Sequence, residues 1–214
     1  LQDIASDMAA VCPDAWFLNY TNPMSILTMA LLREGVKAVG LCHSVQVCAP
    51  HLLRDLGMAD EVKRLQWKIA GINHMAWLLE VSDGGKDLYP EIKRRAAEKN
   101  AAALADPAKR HGDMVRYEMM RNTGYYITES SEHNAEYSPY WIKAAYPELV
   151  DAYNIPLDEY PRRCERQIAE WQTLRDGIVN NDSLSHTRTH EYGSYIMEAM
   201  ETDVPYRIGG NVLN

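Results

Sequence analysis

Four short segments at the start of the chain alternate helix and strand, and this alternation limits the fold more than anything else in the 214 residues. Ile4, Met8 and Val11 recur at helical spacing, and Pro13-Asp14 ends the run. Ala15–Asn19 is a short apolar run of strand type. Tyr20-Thr21-Asn22-Pro23 is a polar turn, and Pro23 suits the first position of a helix that runs to Arg33, with Gly35 as its stop. Val36–Leu41 returns to strand. Helix, strand, helix and strand joined by short connections predict a parallel sheet of the doubly wound type.

Such a sheet usually opens with a strand and a Gly-rich turn. Neither GxGxxG nor a P-loop occurs here, and Gly209-Gly210 reads as a turn. Residues 1–44 are expected to be the C-terminal part of a Rossmann-type parallel sheet, and residues 45–214 a second α/β unit. Within the second unit a helix is expected from Val45 to Leu56, ended by Gly57. Leu65–Ile72 reads as a strand into Asn73-His74, with Met75–Val81 as its continuation. Helices follow over 90–104 and 113–122. Residues 125–141 mix aromatics with polar groups without a clean period, which predicts a partly buried segment lining a cleft. Leu157–Ile178 keeps a helical stripe of Tyr160, Cys164, Ile168, Trp171 and Leu174. Residues 180–183 form a loop, His190–Met200 a helix, and Val204–Val212 a strand.

Composition narrows the function classes. The net charge is −8 and the basic residues are scattered, so no nucleic-acid surface is expected. No apolar stretch approaches the roughly 18 residues of a membrane span, and Leu1 opens no basic-then-apolar leader. Four cysteines without a CxxC pair point to a reduced, cytoplasmic setting. Thirteen Tyr and five Trp stand against one Phe, and such amphipathic aromatics suit a wet polar cleft.

Chemistry gathers at the tips of the apolar runs, where ligands bind in α/β proteins. Asn22 follows one run, Cys42 and His43 a second, and Asn73 and His74 a third. Three tips offering amide, thiol and imidazole are expected to converge at one sheet edge. Cys42 with His74 forms a candidate metal pair with open coordination positions, and ligand softness alone favours zinc. Asn22 equally suits a helix cap. Glu129, Glu132 and Glu136 follow three-and-four spacing, which fits either a solvated helix face or the paired carboxylates of a hydrolase.

The strings NYTNPMSILTMAL, VGLCHSVQ, AGINHMAWLLE, RYEMMRNTGYYITESSEHNAEYSPYWIK and PLDEYPRRC resemble glycoside hydrolase family 4, and within it the melibiase-type α-galactosidases. The likeness runs from the first helix to the terminal RIGGNVLN. It implies a nucleotide-binding domain of lactate-dehydrogenase type, whose remainder is residues 1–44, followed by an α/β substrate and catalytic domain, 45–214. The chain then corresponds to about half of a family chain.

The resemblance also implies NAD and a divalent metal, usually manganese, acting on an α-galactoside. Hydride leaves C3, a base takes the C2 proton, the C1 leaving group is eliminated, water adds, and hydride returns. By that likeness Cys42 and His74 match the metal ligands, Asn22 a residue holding the sugar hydroxyls beside the nicotinamide, and Tyr137 the C2 base. Free tyrosine has a pKa of about 10, so the role calls for a nearby cation. His43 stands where phospho-glucosidase relatives carry an aspartate proposed as general acid, and Glu129, Glu132 and His133 are alternatives for that role and substrate contacts. Asn73 orients the site. The family also implies a homo-oligomer. The 214 residues, lacking a Gly-rich turn, are expected to bind NAD weakly alone and to hydrolyse no galactoside. A non-catalytic sugar-binding fragment is the alternative reading. A 2-hydroxy-acid dehydrogenase is a third, which the TNP turn allows without supplying the expected histidine and arginine.

Overall fold

The computed structural model describes residues 1–180 and 191–212. The first four elements form in the order the pattern requires: α1 (Gln2–Val11), β1 (Phe17–Asn19), α2 (Met24–Arg33) and β2 (Ala38–Gly40). β1 and β2 pair in parallel, Phe17 opposite Ala38 and Asn19 opposite Gly40, with α2 as the crossover such a pair needs. α1 presses Ala5 and Met8 onto Leu31, Val36 and Ala38. Asn19 ends β1 fully buried. Its amide donates to the Thr28 hydroxyl at 2.9 Å and the Met24 carbonyl at 3.3 Å, and its oxygen accepts from the Thr21 N–H at 3.1 Å.

From the tip of β2 the chain enters α3 (His43–Asp55) and then a second sheet of β3 (Leu65–Ile72), β4 (Met75–Asp83) and β5 (Lys86–Asp87). α4 (Tyr89–Ala105) and α5 (Met114–Thr123) lead to β6 (Tyr126–Ile127), which pairs with β4. All pairings in this sheet are antiparallel. Cys48, Leu52 and Leu53 of α3 share one core with Leu78, Val81, Ile92, Tyr117 and Tyr126. α6 (Ser131–Tyr137), α7 (Glu148–Ala152), α8 (Glu159–Asn180) and α9 (Tyr192–Thr202) follow.

Four expectations are corrected. Leu65–Val81 is not one strand. Ile72 pairs with Met75, so the chain reverses at Asn73-His74. Gly71, at φ +130°, permits the close approach there, since a Cβ would stand 2.8 Å from the Ala76 Cα. β3 is also an edge strand with alternating, not continuous, burial. Val204–Val212 forms no strand; only Asn211 bridges Gly40. The stripe on α8 exists, but no residue of that helix is buried, and Ile168 and Trp171 are exposed. The predicted loop at 180–183 begins with Asn180 still in α8; its remainder, and the start of the predicted helix at His190, lie outside the described residues.

Asp55 closes α3 against α4 and α5. It accepts from Lys99 at 2.6 Å and from the Tyr117 hydroxyl. Partial burial pushes its carboxyl up, but these two donors outweigh it and hold the group below the usual aspartate value of 3.8. A lowered folded pKa contributes stability above the unfolded value and loses it as pH falls through the folded one. Asp55→Asn is expected to cost about 1–3 kcal/mol at neutral pH by leaving the tyrosine and lysine poorly partnered. In urea titrations, the gap from the unsubstituted protein should close as pH falls below 3.8.

Candidate active site

Two turns bring the candidate residues into one region. One joins β1 to α2 and carries Tyr20 and Asn22; the other is the Asn73-His74 turn. Ser25, in the first turn of α2, donates to the Asn73 carbonyl at 3.3 Å and lies 3.5 Å from the Asn211 side-chain oxygen. Asn211 exchanges two backbone hydrogen bonds with Gly40, at 3.0 and 2.8 Å. The Asn22 turn, the tip of β2 and the 73–74 turn are thereby tied together. The expected single sheet edge is corrected, because Asn73 and His74 arrive from the antiparallel sheet.

Cys42 is a half-buried free thiol 2.9 Å from the Ser44 hydroxyl. His43 opens α3, exposed, and stacks on Tyr20 with ring centres 5.4 Å apart. Both reach the same carboxylate. One oxygen of Glu191 accepts from the Tyr20 hydroxyl, and the other faces His43 Nε2 at 2.5 Å. Desolvation pushes the Glu191 carboxyl up, but hydrogen bonds from Tyr20 and His43 outweigh it and hold the group below its usual value. Burial, then the Glu191 contact, push the Tyr20 phenol up. Tyr192 is buried and donates to the Cys42 carbonyl at 3.1 Å. Sequence reasoning missed Glu191: a lone carboxylate 148 positions from its imidazole partner carries no local signal.

The second group is held by β6. The Thr128 N–H donates to the Ala76 carbonyl at 2.9 Å and its hydroxyl to the His74 carbonyl at 3.3 Å. Glu129 is thus set beside His74, oxygen to Nδ1 at 3.4 Å. Ser130 caps α6 by accepting from the His133 N–H at 3.2 Å. Asn134, fully buried, donates to the Glu129 and Ser130 carbonyls at 2.9 and 2.8 Å. This anchored helix stacks the His133 ring between His74, at 6.5 Å, and Tyr137, at 5.6 Å. Tyr137 is 58% exposed.

The carboxylate spacing read from sequence holds only in part, since Glu129 precedes α6 while Glu132 and Glu136 lie on it. With His133 they form, among the described residues, a group of three donors mutually within 4.8 Å. Among the described residues Cys42 and His74 belong to no such group. The Asn73 side-chain oxygen is buried with no hydrogen-bond partner among the described residues.

The family model for family 4 glycosyl hydrolase matches residues 1–58, and that for the family 4 glycosyl hydrolase C-terminal domain matches residues 69–214. The chain belongs to glycosyl hydrolase family 4. It is 61% identical to an alpha-galactosidase of Bacillus subtilis, covering all of this chain and 48% of the relative. It is 31% identical to an alpha-galactosidase of Rhizobium meliloti, over 99% of this chain and 44% of the relative. The fold is shared with a 6-phospho-alpha-glucosidase from gut microorganisms, solved in complex with NAD and Mn2+, at a TM-score of 0.59 and 23% identity over 94% of this chain and 47% of that one. The chain thus spans about half the length of the curated relatives it matches. In this family 4 chain the candidate residues read from sequence sit on turns, at the start of α3 and on or just before one short capped helix, not in the sheet interiors.

Gly40 is the tightest point of that arrangement. A Cβ there would stand 2.2 Å from Met24 Sδ, 2.5 Å from the Thr28 hydroxyl and 3.2 Å from the Asn211 Cβ. Gly40→Ala is expected to cost about 1–3 kcal/mol through overpacking, read as a lower urea midpoint with an unchanged slope.

Proposed function

We propose that this chain is part of an α-galactosidase that works by oxidation at C3, deprotonation at C2 and elimination at C1. The reading is carried by the 61% identity to an alpha-galactosidase, and it is supported by the bonds of Ser25 and Asn211 that tie the Asn22 turn, the tip of β2 and the Asn73-His74 turn together. The donor chemistry fits a divalent ion: the half-buried thiol of Cys42, the imidazole of His74 with Glu129 beside it, and the buried, unpartnered oxygen of Asn73. Cys42 and His74 would hold it. Bound NAD would supply hydride chemistry at C3, and a divalent ion, manganese in the similarly folded 6-phospho-alpha-glucosidase, would supply positive charge beside the sugar.

The chain's own residues do the rest. The Tyr137 phenolate oxygen accepts the C2 proton and becomes the hydroxyl, with the His133 and His74 rings fixing where the ring stands. Asn22, exposed at its turn, holds sugar hydroxyls through both ends of its amide. Glu129 orients His74. His43 gives a proton to the departing oxygen at C1. Glu132 and His133 line the same helix and contact the sugar.

Two measurements on the full-length protein test this. Tyr137→Phe should slow exchange of the substrate C2 proton with solvent deuterium by about 10²-fold or more; unchanged exchange removes Tyr137 from the role. Cys42→Ser should abolish Mn2+-dependent galactoside hydrolysis while circular dichroism stays the same, and Glu136→Gln should retain the Mn2+ dependence. The reverse pattern would move the metal to the Glu132, His133 and Glu136 group.

A further inference from the structure

His43 Nε2 is occupied by Glu191, and this fixes which nitrogen faces chemistry. The carboxylate has little freedom of its own. One oxygen is taken by Tyr20 and the other by His43. Its residue caps α9, the side chain accepting from the Gly193 N–H at 3.4 Å. The next residue, Tyr192, is buried with Val39 and Leu41 and bonded to the Cys42 carbonyl. The His43 ring is fixed twice, by the carboxylate in its rotation and by the Tyr20 stack in its plane. Its side chain is still 62% exposed, which leaves room for a ligand beside the ring.

We infer that Glu191 is a positioning residue for galactoside cleavage: it holds Nε2–H of His43 and leaves Nδ1 as the nitrogen that protonates the leaving oxygen. This rests on the proposed function. When Tyr137 takes the C2 proton, the electrons left at C2 form a C1–C2 double bond. The C1–O bond breaks, its electron pair stays on the leaving oxygen, and that oxygen takes the proton from His43 Nδ1. His43 ends as neutral imidazole with its hydrogen on Nε2, still bonded to Glu191. A surface ion pair without this role would not distinguish one leaving group from another.

Leaving groups provide the test. Methoxide is a poor leaving group, so a methyl galactoside needs the proton; nitrophenolate leaves readily, so a nitrophenyl galactoside does not. In the full-length protein, Glu191→Gln should lower kcat/KM for the methyl galactoside by about 10²-fold. Turnover of the nitrophenyl galactoside and C2 deuterium exchange should be little changed. Glu191→Asp should restore part of the methyl galactoside activity, and Glu191→Gln combined with His43→Ala should be no worse than His43→Ala alone. Equal losses on both galactosides, in Glu191→Gln or in the better-folded Glu191→Asp, would overturn the role of Glu191. If the unsubstituted protein exchanges no C2 proton, the proposed function fails and this inference falls with it.

Discussion

The buried amide of Asn19 is the constraint on which the arrangement of this chain depends. It sits at the end of a three-residue strand with no exposed surface, and each of its polar atoms is bonded to the segment that follows. Leaving such a group unpartnered costs about 1–3 kcal/mol, so the path from β1 into α2 has one low-energy form. That path determines where Ser25 stands, and Ser25 holds the turn of the second sheet through the Asn73 carbonyl. A polar contact between the end of β1 and α2 thus bears on how two sheets that share no strand are tied together.

The two halves of the site are held by different physics. Around His43 the contacts are polar and cross long stretches of chain: Glu191 to His43, Tyr20 to Glu191, Tyr192 to the Cys42 carbonyl. Around His74 the fixing is local. A capping serine, a buried asparagine and a run of three rings set His133 and Tyr137 from within one short helix. Substitutions in the second half therefore act through α6 as a unit, whereas those in the first act one bond at a time.

Much of this was legible in sequence where local rules govern. The alternation over residues 1–44 is set by periodicity and by Pro and Gly stops, and α1 to β2 appear where those signals place them. Asn22, Cys42 and His43 stand out as candidates in the sequence because each lies in the polar stretch just after an apolar run. The reversal at Asn73-His74 was not legible, because the turn carries no glycine and the apolar run resumes at Met75; only Gly71, two residues earlier, betrays the close approach. Val204–Val212 is apolar enough for a strand, yet Pro205 and the Gly209-Gly210 pair leave a single bridge to Gly40. Glu191 was invisible for a deeper reason: its importance lies in a contact that only the folded chain creates.

The carboxylates bear on which chemistry this site favours. Glycosidases that work with a carboxyl pair place the two groups on either side of the bond to be cut, about 5–5.5 Å apart for a nucleophile and wider for a water. Glu132 and Glu136 do not meet that demand. They share one face of α6, their donor atoms lie within 4.8 Å of each other, and His133 Nδ1 is 3.0 Å from Glu136. Glu129 stands against His74 and Glu191 against His43 and Tyr20. With Glu129, Glu136 and Glu191 each beside an imidazole, these carboxylates are better placed to orient other groups than to flank a sugar. In the proposed reading His43 and Tyr137, both exposed, exchange protons with the substrate. That division of labour fits the proposed elimination across C1 and C2, which asks for one base and one acid and for no carboxylate at the anomeric carbon.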